Sequence, residues 1–420
     1  MGLQLRWRLS LMMFLQFAIW GAWAPVLGAY VDKELHFTGD QTGWVYGMLP
    51  LASIFAPMFF GQVADRKMPT QHLLAILNLV GAFFLWMMAS TKDYWTFLMV
   101  MLLYSIAFAP TLVLTNSLCF THLSNTEKEF GGVRVWGTLG WIAAGLSLTA
   151  WMTLGHATSQ VNCLRLAAIF SLLLGLFSFA LPHTPPKREG TDPWAFLKAF
   201  RLLRERNFLV FMVISFVVAT ELQFYYMLTA PFIQSLGVKP ENTSSVMTIA
   251  QMAEIFVMAL ALPALLPRWG VRKIMVVGIL AWPIRYAIFA LGAHFGPGWL
   301  PLVEASLTFH GLCYVFFFVV GFIYVDQVAP PDIRASAQSL IGVITLGIGL
   351  YLGSILAGQI KDLFTHGLGA GQVTDWTAVF LVPCALTVLC AIVFPMVFKA
   401  GRGADLESPS QTLIHGPGDR

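Results

Sequence analysis

The sequence predicts an all-α membrane protein with twelve transmembrane helices in two six-helix halves. The first observation is composition: 57% of the 420 residues are apolar and 11% are charged, against about 25% charged in a soluble domain. The second is that apolar runs of about 20 residues, long enough to cross a bilayer as a helix, recur along the chain. The third is a charged stretch, residues 182–207, that separates two groups of six such runs.

The predicted spans are apolar runs bounded by polar or charged residues. In the N-terminal half (1–181) they are 10–31, 42–63, 72–90, 95–119, 134–153 and 162–181. In the C-terminal half (208–398) they are 208–235, 243–266, 274–294, 299–325, 336–359 and 376–398. They are numbered as spans 1 to 12 in this order.

The two segments outside the halves have different compositions. Within the linker 182–207, Asp192 followed by Pro193 predicts a helix start, and the residues after it predict an amphipathic helix on the cytoplasmic membrane surface. The tail 399–420 contains many Gly, Ser and Pro residues, a composition that predicts a disordered cytoplasmic segment.

The basic residues predict the orientation of the chain. With a cytoplasmic N-terminus, nineteen Lys and Arg residues fall inside and only Lys33, Lys92, Lys239 and Lys361 fall outside. This asymmetry follows the positive-inside rule and predicts cytoplasmic termini in the cytoplasmic (inner) membrane. The net charge of +4 reflects the same bias, so the expected partner is the lipid bilayer and not nucleic acid, and a monomer is expected.

Corresponding basic residues in the two halves indicate an internal duplication. Residues 66–67 follow span 2 and residues 272–273 follow span 8, and all four are Arg or Lys. Arg134 opens predicted span 5, and Arg334 opens predicted span 11 at a similar offset.

The stretch "GQVADRK" resembles the loop motif of the major facilitator superfamily, in which Asp-Arg follows a glycine by four residues. Here these residues are Gly61, Asp65 and Arg66. The resemblance implies two six-helix halves with a binding site between them near the membrane midplane. It also implies that Gly61 allows close helix approach and that the charged pair latches neighbouring helices in one conformation.

Motifs for other mechanisms are missing from the sequence. It contains no GxxxxGK[ST] phosphate loop, no HExxH and no GxSxG, so neither ATP-driven transport nor an enzyme is predicted. Its five cysteines lack metal-ligand spacing, and no metal or cofactor is expected. The clustered glycines of span 11 predict close helix packing instead of phosphate binding.

Glu254 is the one charged residue between positions 243 and 266. A central acid in a membrane helix costs about 3 kcal/mol on insertion scales, so it is expected to face a cavity or a partner. Other polar and aromatic groups lie at similar depth and at helical spacing. They are Arg134, Thr138 and Trp141 in span 5, Glu221, Gln223 and Tyr226 in span 7, Gln251 in span 8, and His310 and Tyr314 in span 10.

This mixture suits a small, neutral, hydrogen-bonding ligand with a flat ring, because amides and acids bind ring edges and hydroxyls while aromatic rings stack. Structural alternatives remain for several of the residues. The alternative for Glu254 is a helix–helix hydrogen bond, that for Trp141 and Tyr314 is ordinary packing, and that for His310 is a satisfied buried histidine. Arg285 in span 9 is predicted to be the structural partner of an acid.

Six stretches along the chain resemble the nucleoside:proton symporters, a bacterial branch of the major facilitator superfamily. They are "FLQFAIWGAW", "APTLVLTNS", "RVWGTLGW", "ATELQF", "AQMAEIF" and "RASAQ". The resemblance implies nucleoside import by proton symport with alternating access. It also implies a nucleoside site formed by Arg134, Thr138, Trp141, Gln223, Tyr226, Gln251, Glu254, His310 and Tyr314.

Two positions depart from that family. Tyr226 stands where a well-known member has asparagine, which implies a different preference for base or sugar. Val315 stands where members carry an aspartate that is a candidate for proton coupling. Glu254, Glu221 and His310 are the candidates to replace it. The alternatives are a uniporter, a facilitator for another polar solute such as a sugar or peptidoglycan fragment, and a transporter-like receptor.

Overall fold

The computed structural model describes residues 3–186, 195–367 and 372–399. The predicted helix start at Asp192-Pro193 and the predicted disordered tail beyond Lys399 lie outside these residues. The N-terminal helices are Leu3–Trp23 and Leu27–Lys33 (span 1), Gly39–Arg66 (span 2), Thr70–Ala89 (span 3), Tyr94–His122 (span 4), Thr126–Leu154 (span 5) and Asn162–Ser178 (span 6).

The helices of the C-terminal half are interrupted more often. Span 7 is Arg206–Ser235; span 8 is Pro240–Phe256, Val257–Ala261 and the start of Leu262–Phe295; span 9 is the rest of Leu262–Phe295; a short 3-10 helix follows at Pro297–Trp299. Span 10 is Leu300–Ser306, Phe309–Cys313, Tyr314–Val319 and Val320–Val328; span 11 is Arg334–Gly342, Val343–Gly349 and Leu350–Leu363; span 12 is Trp376–Val397.

Nine helical stretches in the described parts of the chain are long and apolar enough to cross a membrane. One of them, Pro240–Phe295, has 56 residues and turns back at Gly270, where φ is 70°. Glycine adopts this backbone conformation readily, so the stretch holds both span 8 and span 9. With Thr126–Leu154 and Asn162–Ser178, the described residues contain all twelve predicted spans.

The structure corrects the predicted start of span 5. Its helix begins at Thr126, so Arg134 lies inside the helix and does not open it. Arg334, by contrast, is the first residue of its helix and lies 3.7 Å from Asp326 in an exposed ion pair. The prolines at 330–331 disfavour helix upstream of Arg334, whereas no proline precedes Arg134 in its helix.

Three segments of the C-terminal half are π-helical: Val257–Ala261, Tyr314–Val319 and Val343–Gly349. They lie within spans 8, 10 and 11. Such widened turns are rare and are found frequently at functional sites. No other π-helical segment occurs among the residues that the structure describes.

The linker forms a helix, as predicted, but of the 3-10 type at Ala195–Arg204. Ala199 and Leu202 are buried, and the Nη2 atom of Arg201 lies 2.6 Å from an Oδ2 atom of Asp332, just before span 11. These contacts attach the linker helix to the C-terminal half. Its location on the membrane surface stays a prediction.

A short antiparallel hairpin pairs Thr365–His366 with Val373–Thr374. The sequence did not predict these strands. They lie between spans 11 and 12 and do not alter the helical architecture.

The end of the bundle that the charge distribution places outside, here called the outer end, is closed. A Cβ atom added at Gly39 of span 2 would overlap the carbonyl oxygen of Gly358 in span 11, and one at Gly358 would overlap that of Gly39. Gly43 makes a similar approach to the backbone of Ser354. Small residues permit such close helix contact, which confirms the packing role predicted for the span 11 glycines.

Polar contacts join the halves beside these glycines. Asp362 accepts hydrogen bonds from the backbone N–H groups of Gly39 (2.5 Å) and Asp40 (2.7 Å). The Nζ atom of Lys361 forms an ion pair with the carboxylate of Asp32 in the N-terminal half. The Asp362 carboxylate therefore caps the span 2 helix across the junction, where a negative group is favourable.

Toward the other end, called the inner end, a glycine in each of spans 2 and 11 has open space beside it. Cβ atoms added at Gly61 and Gly342 would meet nothing within 4 Å. A Cβ atom at Gly61 would therefore have open space in this conformation, and the expectation that Gly61 allows close helix approach stays a prediction. The latch role of Asp65 and Arg66 stays a prediction.

Candidate functional site

A polar cavity lies between the two halves. Two helices of the N-terminal half and three spans of the C-terminal half contribute side chains to it. The lining residues are Phe17, Trp20, Arg134, Thr138, Trp141, Tyr226, Gln251, Glu254 and Tyr314.

Helical spacing brings these side chains to the same place. In span 5, Arg134, Thr138 and Trp141 are spaced i, i+4 and i+7, which places them on one face of the helix. In span 8, Gln251 and Glu254 are spaced i and i+3, again on one face. The two helices therefore present polar groups to the same cavity from opposite halves.

Aromatic rings form much of the cavity wall. Trp20 and Trp141 meet edge to face with ring centroids 5.4 Å apart. Trp141 also lies 6.4 Å from the ring of Tyr226 across the junction between the halves. These flat surfaces suit a ligand that carries a planar ring, since aromatic pairs favour offset or edge-to-face contact.

Two opposite charges face the cavity without an ion pair between them within the described residues. The Cζ atom of Arg134 lies 4.0 Å from the ring centroid of Phe17, a cation–π contact. Glu254 forms no salt bridge within the described residues. The carbonyl oxygen of Gln251 is buried and accepts no hydrogen bond there. A buried acceptor is normally paired, so these groups are available to a ligand.

The cavity measures about 70 Å³, room for about five water molecules. A ligand that combines a sugar with a base is larger than this volume. We therefore expect the aromatic side chains of the cavity wall to shift when such a ligand binds.

The structure brings most of the predicted site residues together. Arg134, Thr138, Trp141, Tyr226, Gln251, Glu254 and Tyr314 all line the cavity. Gln223 and His310 do not line it, although both are buried. Phe17 and Trp20 are additional lining residues that the sequence interpretation missed. Their i, i+3 spacing was visible in span 1, but an aromatic pair there fits a lipid-facing surface equally well.

His310 lies behind the cavity wall. Its ring stacks on Tyr225 at 4.7 Å and on Tyr314 at 5.8 Å, and it meets Tyr226 edge to face at 5.9 Å. The nearest charged group is Arg285, whose Nη1 atom lies 3.3 Å from His310 Nδ1. His310 thus supports two lining residues and does not itself reach the cavity.

The prediction that Arg285 pairs with an acid is wrong for the described residues, which contain no carboxylate within ion-pair distance of it. Its Cζ atom lies 4.4, 4.6 and 5.2 Å from the ring centroids of Tyr225, Trp282 and Tyr286. Cation–π attraction to desolvated rings takes the place of an ion pair.

Glu221 is also remote from the cavity. It is fully buried, and its carboxylate oxygens have no hydrogen-bond partner within the described part of the chain. The hydroxyl of Tyr286 donates a hydrogen bond to its backbone carbonyl. Glu254 is thus the acid that lines the cavity.

A second groove, about 400 Å³, lies between spans 2 and 4. Its lining residues are Leu51, Ala52, Phe55, Ala56, Phe59, Phe60, Leu102 and Ile106. Every one of them is apolar, so a hydrogen-bonding ligand has no polar side chain to bind there. The smaller polar cavity is the better candidate site.

Comparison with known proteins gives the family. A family model described as "Nucleoside H+ symporter" matches residues 1–402. The chain belongs to the nucleoside H+ symporter family. It is therefore a multi-pass membrane transporter that carries nucleosides with protons, and the predictions of a family, a function and a protein that is not an enzyme are confirmed.

Individual members of the nucleoside H+ symporter family are similar over nearly the whole chain. The Escherichia coli (strain K12) protein YegT is 35% identical over 400 residues, covering 93% of each chain. The nucleoside permease NupG of the same strain is 32% identical over 431 residues, covering 98% of this chain and 100% of NupG. The crystal structure of NupG matches with a TM-score of 0.84 at 31% identity, over 94% of this chain and 100% of that chain. The predicted major facilitator fold is confirmed.

Proposed function

We propose that the polar cavity is the nucleoside site and that the protein imports nucleosides through it by alternating access. The observation that carries this proposal is the convergence of Thr138 and Trp141 with Gln251 and Glu254 in one cavity between the halves. A site at that junction is exposed to one side at a time when the halves rock against each other.

The lining residues offer two kinds of contact to a nucleoside, hydrogen bonds and aromatic stacking. The carboxylate of Glu254 accepts hydrogen bonds from ribose hydroxyls, and the amide of Gln251 accepts from and donates to the base edge. Trp141, Tyr226 and Tyr314 offer rings on which a base stacks, worth about 1–3 kcal/mol per base in nucleic-acid systems. NupG and its relatives bear names that fit this substrate class.

Proton coupling is assigned to Glu254. Val315, at the position of the family's aspartate, is fully buried and apolar. Of the candidate acids, Glu254 alone lines the cavity, whereas Glu221 lies apart from it. His310 neighbours a permanent cation at 3.3 Å, which opposes a second positive charge.

Uptake in proteoliposomes tests the substrate class. Labelled uridine is expected to enter, to exchange in counterflow, and to be displaced by other nucleosides but not by ribose or free bases. Binding without counterflow would indicate a receptor. Displacement by ribose or another free sugar as effective as that by nucleosides would instead indicate a sugar facilitator.

We also infer that both termini and the linker are cytoplasmic, in the inner membrane, and that the transporter works as a monomer in the bilayer without nucleic acid. A cysteine at the exposed position of Arg204 is expected to react only with a membrane-permeant maleimide in intact cells. A cysteine at exposed Lys92, on the predicted outer surface, is expected to react with permeant and impermeant reagents alike. The protein without an introduced cysteine serves as the blank. The reverse labelling pattern at the two positions would indicate the inverted topology.

A further inference from the structure

Arg285 is a fully buried cation in the middle of span 9, with no carboxylate in ion-pair distance among the described residues. A charge at such depth is costly, and charged residues retained there usually have a role in the function of the protein. The Nε and Nη2 atoms of Arg285 have no hydrogen-bond partner within the described residues. Structural stabilisation alone is a poor explanation for this arrangement.

The contact between Arg285 and His310 fixes the position of the proton on the imidazole ring of His310. A guanidinium has donors and no acceptor, so the 3.3 Å contact between Nη1 and His310 Nδ1 requires Nδ1 to accept. The remaining ring proton of His310 is then on Nε2. The adjacent permanent charge and the occupied Nδ1 both oppose a second proton, and His310 is held neutral.

The ring of His310 packs against two tyrosines of the cavity wall, so its fixed orientation restricts theirs. It lies nearly parallel to Tyr314, with an interplanar angle of 24°, and nearly perpendicular to Tyr226, at 76°. Both tyrosines line the cavity. On its far side the ring stacks on Tyr225, over whose face the guanidinium lies.

We propose that Arg285 is a positioning residue of the nucleoside site. It holds His310 as the neutral Nε2–H tautomer, stacked behind Tyr226 and Tyr314, and thereby excludes this histidine from proton coupling. The inference rests on the proposed function, because it assigns a role in the same cavity.

Of the groups around His310, Arg285 is the one that controls its protonation. Span 7 contributes Tyr225 and Tyr226 and span 9 contributes Arg285. Span 8 contributes Glu254 across the cavity, and span 10 itself contributes Cys313 and Tyr314. No carboxylate pairs with His310 among the described residues, so Arg285 is its one charged contact there. Removal of that charge leaves burial as the main obstacle to protonation.

The test uses uridine counterflow in proteoliposomes between about pH 5 and 8, the range in which an unrestrained histidine titrates. Arg285→Met, which lacks both charge and donor, is expected to raise KM by about tenfold, equivalent to about 1.4 kcal/mol of binding free energy, because Tyr226 and Tyr314 lose the support of a fixed His310 ring. It is also expected to add a pH step that the wild type lacks. Arg285→Lys, which keeps the charge, is expected to retain the wild-type profile. Adding His310→Gln to Arg285→Met is expected to remove the new step.

An Arg285→Met protein with the wild-type pH profile, or a step that persists in the double variant, would overturn the proposal. If Arg285→Met does not fold, His310→Gln alone decides the question. We expect it to change KM and to keep the wild-type proton-to-nucleoside ratio; a changed ratio would assign coupling to His310. A wild-type protein without nucleoside counterflow would refute the proposed function itself. Failure of the proposed function is therefore distinguishable from failure of the role proposed for Arg285.

Discussion

Replacing Glu254 with glutamine is expected to abolish uphill nucleoside accumulation while counterflow persists. Glutamine keeps the size of the side chain, but it replaces one acceptor oxygen with an NH2 donor and cannot exchange a proton. Since a neutral group also replaces a charged acceptor, the loss of about 1.5–3 kcal/mol per hydrogen bond is expected to weaken nucleoside binding by about tenfold or more.

The measurement is labelled uridine uptake under an inward proton gradient, with alkalinisation of a weakly buffered medium as the second readout. Glu241→Gln is the matched control, because Glu241 lies in the first turn of the same helix and does not line the cavity. It is expected to accumulate uridine normally. Uphill uptake by Glu254→Gln would contradict coupling through this carboxylate, and wild-type affinity would assign it a structural role.

Adding one methyl group at Gly358 is expected to prevent the outer end from closing. The Cβ atom of alanine would overlap the carbonyl oxygen of Gly39, and backbone cannot rotate away as a side chain does. Overpacking of this kind costs about 1–3 kcal/mol, which corresponds to a shift of about 5–150-fold in a conformational equilibrium. The initial rate of uptake is expected to fall accordingly.

Gly342→Ala is the matched control on the same span, since its Cβ atom would meet nothing within 4 Å. A cysteine at Ser354, which is fully buried at the junction, reports whether the outer end opens. Its labelling by an impermeant reagent is expected to accelerate in Gly358→Ala and not in Gly342→Ala. Equal labelling and equal uptake in the two variants would show that this contact does not limit closure.

The parts of the site that were predictable from sequence depended on spacing along single helices. Arg134, Thr138 and Trp141 share a face at any helix orientation, as do Gln251 and Glu254. Their low-polarity surroundings then indicated that these faces meet a cavity. Span boundaries followed in the same way, most closely for span 12, where the predicted 376–398 corresponds to the helix Trp376–Val397.

The parts that were not predictable depend on how helices are rotated against each other. Gln223 and His310 lie at the right depth but on faces turned away from the cavity. Two of the rings around Arg285, Trp282 and Tyr286, are near neighbours of it in span 9, whereas Tyr225 comes from span 7 and no sequence spacing relates it to Arg285. The closed outer end is likewise a property of one conformation. The hydropathy of the sequence is the same in every conformation, so it could not predict this closure.

The three π-helical segments make the halves mechanically unequal. Sharp kinks in helices are commonly found at π-helical turns, so a helix that contains such a turn has a defined point at which it bends. Spans 8, 10 and 11 carry such turns, and Tyr314 begins one of them. We therefore expect spans 8, 10 and 11 to bend during the transport cycle at positions that have no π-helical counterpart in the described N-terminal helices, whose candidate kink sites are the internal prolines of spans 2 and 4.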